Sequence, residues 1–337
     1  MNVLFGLLIA LSGGILTTAL YIIIVWRLDR HEKEPIAMLA LAFIWGALPA
    51  VIISLVLELG LGGMFADTTL GNVLADAGLA PIVEESAKGL ALLAFLVFTY
   101  REIDGVLDGI VYGAMIGLGF ALTENVLYIV SGVAEKGLAM GVFILFLRTV
   151  IFGLNHAFFT SLTGIGVGAA RLTRGTTARL VLLSAGWIAA VVFHAVHNLG
   201  TALADSTGLF SIVLSLLADW GGLLLLLLII MLVWSKEQRW ITEELAAEVP
   251  AGLLAADEYM AMTSSVGRQR LLAKTLREKG WASYRGMERE YALLTELAFK
   301  KRQVRLMGDE PGMQAEIAQL RTAIADARGM RPASGTL

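Results

Sequence analysis

Seven stretches of the chain are almost entirely apolar and are bounded by charged or polar residues. They cover residues 3–26, 36–59, 79–99, 106–130, 137–170, 179–200 and 209–234. A helix needs about 20 apolar residues to cross the ~30 Å hydrocarbon core of a bilayer, and each stretch is about that long or longer. The pattern predicts an all-α polytopic membrane helix bundle with about seven spans.

The fifth stretch is too long for one straight crossing. Its 34 residues correspond to about 50 Å of helix at a rise of 1.5 Å per residue. Arg148 interrupts it, so we expect residues 137–152 to form an interfacial or re-entrant segment. The crossing would then run from about Gly153 to Ala170. A break at membrane depth is tolerated where protein or a water-filled cavity covers it.

Basic residues occur in alternate connections. Residues 27–34, residues 171–179 and the chain after residue 234 are basic, whereas residues 60–77 and 201–208 contain no Lys or Arg. The positive-inside rule therefore predicts an N-terminus outside the cell and a C-terminal region in the cytoplasm. The first basic residue is Arg27, so we expect the first stretch to be a retained span and not a signal peptide.

Composition separates the last hundred residues from the rest. The chain is 57% hydrophobic and 16% charged, and 16 of its 26 Lys and Arg residues follow Trp234. We expect a membrane domain at 1–234, a small helical cytoplasmic region at 235–331 with helices near 253–280, 284–306 and 312–328, and a disordered end at 332–337. The lipid bilayer is an expected partner and nucleic acid is not. The absence of cysteine excludes a thiol nucleophile and thiolate metal sites.

Polar and charged side chains interrupt four of the apolar stretches. They are Glu84, Glu85 and Lys88; Glu124 and Asn125; His156; and His194, His197 and Asn198. One charged side chain within a span costs ~2.5–3.5 kcal/mol on insertion scales, so such residues indicate a functional site. On the predicted topology all of them lie at a similar depth in the outer leaflet. We therefore expect them to converge.

The fourth stretch carries a row of small residues that leads to this polar layer. The row repeats every four residues, at Gly105, Gly109, Gly113, Gly117, Ala121 and Asn125. Small residues on one helix face let a neighbouring helix approach closely. The row is typical of ordinary membrane packing and also of a tightly held site helix. In either case, its direction predicts that Glu124 and Asn125 point into the bundle.

Residue spacing suggests roles within the polar group. Glu84 and Lys88 are four residues apart and can pair on one helix face, whereas Glu85 points about 100° away. We therefore expect Lys88 to neutralise Glu84 and Glu85 to be the freer carboxylate and the preferred base. His194 and Asn198 also share a helix face, and His197 lies close to it.

Glutamates and histidines away from bulk water suit two kinds of chemistry. In one, a glutamate takes a proton from water and a histidine with the Asn198 amide stabilises an oxyanion. In the other, His156, His194 and Glu85 hold Zn²⁺, which lowers the pKa of a bound water. These residues alone leave both interpretations open.

Other proteolytic motifs are missing from the sequence. It contains no H-E-x-x-H or G-x-S-x-G motif, and the predicted spans contain no aspartate dyad. A proton-coupled transporter or channel that uses the Glu/His cluster as a relay is the alternative hypothesis. A bis-histidine haem protein is disfavoured, because the histidines share one leaflet.

Four motifs, in order on four predicted spans, resemble the PrsW family of bacterial intramembrane proteases. That family is related to the CAAX prenyl endopeptidase and bacteriocin-processing group. The motifs are E-E-x-x-K at 84–88, F-x-x-x-E-N at 120–125, His156 before small and aromatic residues, and H-x-x-x-N at 194–198. The resemblance covers about residues 1–234.

The resemblance implies an endopeptidase of the bacterial cytoplasmic (inner) membrane. Its substrate would be a membrane-anchored protein, in some members an anti-sigma factor, cut near the extracytoplasmic side. Glu84 or Glu85 with His156 would activate water, and His194 with Asn198 would stabilise the tetrahedral intermediate. The wider group often has histidine at the position of Glu124, and His197 fills a variable position of the last motif. The resemblance leaves open a metallo- or a glutamic-type mechanism.

Overall fold

A computed structural model of the chain describes residues 2–31, 33–65, 68–100 and 103–328. Every regular element in these ranges is helical, which confirms the predicted all-α class. The predicted disordered end at 332–337 lies outside the described residues.

Fourteen α-helices are described, three of which continue into short π-helical segments. The helices are α1 (Asn2–Leu28), α2 (Ile36–Trp45), α3 (Val51–Gly62), α4 (Thr69–Leu74), α5 (Ala80–Phe98), α6 (Val106–Lys136), α7 (Leu138–Phe146), α8 (Asn155–Arg171), α9 (Thr176–Ala202), α10 (Ala204–Thr207), α11 (Leu209–Leu245), α12 (Ala256–Met262), α13 (Ser265–Met307) and α14 (Met313–Ala327). The π-helical segments are Gly46–Ala50, Ala75–Leu79 and Leu147–Ile151.

Six helical stretches in the described residues are long and apolar enough to cross a membrane. They are Leu4–Leu28, Ile36–Gly62, Val106–Lys136, Leu138–Arg171, Thr176–Ala202 and Leu209–Glu248. The predicted third span, now α5, has 19 residues but carries Glu84, Glu85 and Lys88 and is not among the six. The prediction of about seven spans therefore corresponds to six plus α5.

Helix α6 is the centre of the compact unit formed by Met1–Asp29 with Glu34–Ile230. This unit holds most of the apolar helices and is called the membrane-embedded unit below. It packs against α1, α2, α5, α7 and α8. Its row of small residues faces α8, where Gly109, Gly113 and Gly117 lie against backbone carbonyls. A Cβ atom added at Gly117 would lie 2.2 Å from the carbonyl oxygen of His156. Only glycine permits this approach, so the predicted row of small residues sets the position of the helix that carries His156.

The long fifth stretch is broken close to the predicted position. Helix α7 and its π-helical end stop at Ile151, Phe152 leaves helical geometry with φ −113° and ψ 11°, and α8 begins at Asn155. The single residue between α6 and α7, Gly137, has φ 85°, a conformation that favours glycine.

The path after Gly137 runs antiparallel to α6 without reversing. Gly141 faces Val133, Arg148 bonds to Asn125, and Gly164 faces Gly109. Residues 137–152 therefore do not form the predicted re-entrant segment, because close packing along α6 carries the chain in one direction. An interfacial position for α7 stays a prediction.

The described chain divides into two compact units, one of Met1–Asp29 with Glu34–Ile230 and one of Arg30–Lys33 with Met231–Leu337. In the second unit, α12, α13 and α14 bury an apolar core that includes Leu294, Leu297 and Leu320. Helix α13 breaks at Gly280 (φ 80°), where one predicted C-terminal helix ends. The functional assignment of the two units stays a prediction.

Replacing Gly117 by alanine should weaken the α6–α8 contact. The added methyl group meets a backbone oxygen that cannot turn away, so we expect a loss of about 1–3 kcal/mol in the free energy of unfolding. Unfolding of the purified protein in detergent micelles measures it. Gly60→Ala is the matched control, because a Cβ at this helical position meets nothing within 4 Å. Equal stability of the two variants would contradict this account of the contact.

Candidate active site

The ammonium group of Lys88 connects residues from two helices. Its Nζ donates to Glu84 Oε2 at 3.0 Å and to Glu85 Oε1 at 2.9 Å, and lies 3.0 Å from Nδ1 of His156. Lys88 is fully buried and lies 3.7 Å from the centre of the Phe120 ring. An ammonium group only donates hydrogen bonds, so Nδ1 of His156 is the acceptor in this pair.

The other nitrogen of His156 is paired with Glu124. Nε2 lies 2.8 Å from Glu124 Oε2, and it carries the ring proton because Nδ1 is an acceptor. Arg148 donates to the same oxygen at 2.5 Å and to Asn125 Oδ1 at 2.7 Å. Glu124 therefore fixes the orientation of His156, while Arg148 compensates the negative charge of Glu124.

His194 has the corresponding arrangement with Glu85. Its Nδ1 lies 3.0 Å from Glu85 Oε1, and Thr160 donates to the other oxygen of Glu85 at 3.1 Å. The imidazole ring is stacked on Phe159 with ring centres 4.9 Å apart. Its second nitrogen, Nε2, lies 3.8 Å from Glu84 Oε2. One nitrogen of each histidine is thus held by a carboxylate and the other is directed towards Glu84.

Glu84, His156 and His194 form a group with the properties of a metal site. One ligand atom from each lies within 4.8 Å of the others. Two imidazoles and a carboxylate are a donor set found in catalytic zinc sites. The bonds to Glu85 and Glu124 are those by which carboxylates usually orient metal-bound histidines. Lys88 already contacts Glu84 Oε2 and His156 Nδ1, so these atoms bind a cation. A metal ion would take the place of the ammonium group at these two atoms, while Lys88 keeps its bond to Glu85. With that exchange the residues fit a metal ion.

A large cavity reaches this group. Its volume is 610 Å³, and Glu84, Glu124, His156 and Asn198 line it. The Glu124 side chain is 17% exposed. The cavity is therefore a space in which water or an extended peptide can reach carboxylates and imidazoles together.

The described geometry brings most of the predicted residues together and confirms that Lys88 pairs with Glu84. It contradicts the expectation that Glu85 is the freer carboxylate. Lys88 binds both glutamates because residues three apart also share a helix face. Glu85 is fully buried and bound on both oxygens, whereas Glu84 lines the cavity. The group that can hold a metal accordingly contains Glu84, where the sequence hypothesis had Glu85.

The last motif is divided between two places. Asn198 lines the cavity, but its amide donates to the backbone oxygen of Asp76 at 2.8 Å. His197 bonds to Asp219 at 2.7 Å. It is not one of the residues that Lys88 contacts. The sequence hypothesis omitted Asp219 and gave Arg148 no part in the site. Both are isolated charges in apolar runs, which was the signal that could have identified them.

The part of the chain that carries these residues matches known proteins. A family model described as PrsW family intramembrane metalloprotease matches residues 34–235. Protease PrsW of Geobacillus kaustophilus is 29% identical over 174 residues, which cover 50% of this chain and 69% of the relative. Protease PrsW of Bacillus subtilis is 29% identical over 182 residues, 52% of this chain and 76% of the relative. No solved structure matches the chain.

Replacing Lys88 by methionine should destabilise the membrane-embedded unit. Two adjacent buried carboxylates would lose their shared cation, and breaking a buried ion pair in this way costs about 3–5 kcal/mol. The yield of folded protein in detergent and its unfolding midpoint measure the loss. Lys136→Met, at an exposed position at the end of α6, is the matched control.

A second substitution tests the cause of that loss. Adding Glu85→Gln to Lys88→Met removes one of the two uncompensated charges and should restore part of the stability. If the double variant is less stable than Lys88→Met, charge compensation is not the role of the lysine.

Proposed function

Because the chain belongs to the PrsW family of intramembrane metalloproteases and is a membrane-embedded protease, we propose that its active centre is the group Glu84, His156 and His194. The observation that carries this proposal is the approach of these three side chains, from three different helices, within 4.8 Å. They would hold one Zn²⁺ ion. A bound zinc ion supplies a water of lowered pKa and polarises the substrate carbonyl.

The neighbouring carboxylates then have different tasks. Glu85 orients His194 through its Nδ1, and Lys88 balances the negative charge of Glu84 and Glu85. Glu124 orients His156 and also faces the cavity. It is the carboxylate outside the ligand group that is best placed to take a proton from the attacking water, as a general base must be within reach of that proton.

The tetrahedral intermediate needs hydrogen-bond donors for its negative oxygen. Asn198 lines the cavity, and its amide nitrogen has two hydrogens, of which one is used by the Asp76 backbone. The second is available to the substrate. Asn125 supports the site indirectly because it accepts from Arg148 and so holds the guanidinium beside Glu124.

The substrate class follows from the position of the site in apolar helices. An intramembrane protease acts on membrane proteins within the lipid bilayer. We infer more specifically that this chain cuts a single-span, membrane-anchored protein near the extracytoplasmic face of a bacterial cytoplasmic membrane. An anti-sigma factor is one such substrate. The absence of Lys and Arg from 60–77 and 201–208 supports this placement of the site. Family membership disfavours the transporter hypothesis.

The variants Glu84→Gln and His194→Ala should abolish cleavage and metal binding together. Each removes one of three proposed ligands, so we expect zinc in the purified protein to fall from near one ion per chain to a small fraction. Elemental analysis measures zinc, and comparative membrane proteomics of cells with each variant measures uncut substrate. Glu135→Gln, an exposed change at the end of α6, is the control. Full cleavage by a zinc-free wild-type enzyme would reject the metal-dependent form of the proposal.

The orientation can be tested with single cysteines, since the chain has none of its own. Thr207→Cys lies in a predicted outside connection and Thr177→Cys in a predicted cytoplasmic one, and both side chains are exposed. We expect a membrane-impermeant maleimide added to intact cells freed of their outer layers to label Thr207→Cys only. Permeabilised cells should allow labelling of both. The reverse pattern in intact cells would overturn the orientation and the extracytoplasmic cleavage site.

A further inference from the structure

A second polar group, made of Asp219, His197 and Asn155, lies beside the proposed active centre. Helix α11 carries Asp219 within an apolar run, and this residue is only 2% exposed. A buried carboxylate at membrane depth is costly and therefore indicates a function. Asp219 makes no contact with Lys88, Glu84 or Glu85 among the described bonds, so charge balance in the first group does not explain it.

Asp219 binds His197 through a short hydrogen bond. Its Oδ2 lies 2.7 Å from Nδ1 of His197 and also accepts from the amide of Asn155 at 2.9 Å. Asn155 Nδ2 and Ser215 Oγ also lie 3.0 and 3.3 Å from this Nδ1. Because an ionised carboxylate only accepts hydrogen bonds, we assign the Nδ1 proton of His197 to the bond with Asp219 and the Asn155 amide proton to the same carboxylate. The bond fixes the ring orientation and leaves Nε2 as the nitrogen that is available to a substrate.

His197 stands where two cavities meet. It lines the 610 Å³ cavity that contains Glu84 and Glu124, and it lines a neighbouring cavity of 220 Å³ whose walls include Ala121 and Phe152. His156 also lines both. Phe152 holds the His197 ring edge-on, with ring centres 4.9 Å apart. A substrate bound next to His156 therefore passes the His197 ring.

We propose that His197 is a further catalytic residue, the general acid that protonates the leaving nitrogen, and that Asp219 is its positioning residue. This inference rests on the proposed function. His197 acts in its doubly protonated form, with Nδ1–H donating to Asp219 and Nε2–H directed at the substrate. As the carbon–nitrogen bond of the tetrahedral intermediate breaks, its electron pair stays on nitrogen and the Nε2 proton moves to that nitrogen.

The step balances within the groups already described. The acyl carbon keeps the oxygen of the attacking water and leaves as a carboxylic acid, and the other product leaves as an amine. The proton that Glu124 took from water returns through solvent to Nε2, and His197 is ready for another cycle. Asp219 also lines a cavity of 140 Å³ beside Asn155, large enough for water.

The experiment compares two bonds in one substrate. It uses a synthetic single-span peptide with a cleavage position that has been mapped with the wild-type enzyme, and the same peptide with an ester at that position. An ester needs little protonation of its leaving oxygen. For His197→Gln we expect kcat on the amide to fall roughly 10²–10⁴-fold, the size of a general acid–base contribution, with KM unchanged and ester cleavage nearly retained. Asp219→Asn should show the same selective loss to a smaller degree.

Matched controls exist elsewhere in the chain. His31 and Glu237 form another buried pair, 3.0 Å apart, in the second compact unit. His31→Gln and Glu237→Gln repeat the same chemical changes away from the cavities and should keep wild-type kcat on both bonds. Retained ester cleavage by His197→Gln also shows that this variant is folded.

The outcomes separate this inference from the proposed function. If Glu84→Gln abolishes cleavage but His197→Gln cleaves the amide at the wild-type rate, or loses amide and ester cleavage equally, His197 is not the general acid and the proposed centre stands. If Glu84→Gln still cleaves normally, the proposed centre itself fails.

The hydrogen bond between His197 and Asp219 can also be measured without substrate, which tests the positioning role of Asp219 even where a variant has lost activity. In protein labelled with ¹⁵N-histidine, NMR should show a deshielded Nδ1 proton that is lost in both His197→Gln and Asp219→Asn. Its persistence in Asp219→Asn would overturn the positioning role.

Discussion

The buried ammonium group of Lys88 is the interaction on which the membrane-embedded unit depends. It binds two carboxylates of its own helix and one imidazole of α8, and no part of its side chain reaches solvent. In an apolar environment, neither an unpaired ammonium nor two adjacent carboxylates can be accommodated at acceptable cost. The two carboxylates, His156 and a cation must therefore stay together, which ties α5 to α8. The glycine face of α6 makes this possible, because it lets α8 approach until His156 lies over Gly117.

Buried carboxylates are also paired at the histidines around Lys88. Each of three histidines uses one ring nitrogen to bind a carboxylate: His156 binds Glu124, His194 binds Glu85, and His197 binds Asp219. This pairing fixes the ring orientation and leaves the other nitrogen for chemistry or for a cation, which at His156 is the ammonium group of Lys88. The same bonds therefore stabilise the buried carboxylates and orient the imidazoles of the proposed centre.

The sequence predicted the helical class and the convergence of the four motifs because both follow from local rules. Long apolar runs require spans, and charges within them require a shared polar interior. The break near Phe152 followed from the length of its run. The sequence could not predict which carboxylate binds which histidine, since that depends on helix rotation and contact. It ranked Glu85 above Glu84 from their angular offset alone, without knowing that Thr160 and His194 would enclose Glu85. Asp219 was missed because its partners lie 22 and 64 residues away in the chain.

X-ray absorption spectroscopy of zinc-loaded protein tests the central claim most directly, because it counts the imidazoles bound to the metal. The account predicts two imidazole ligands and otherwise oxygen in the wild-type enzyme, and one imidazole after either His156→Ala or His194→Ala. His197→Ala, in which the altered histidine belongs to the second polar group, should leave two. A zinc environment without imidazole, or one that neither of the first two substitutions changes, would contradict the proposed centre.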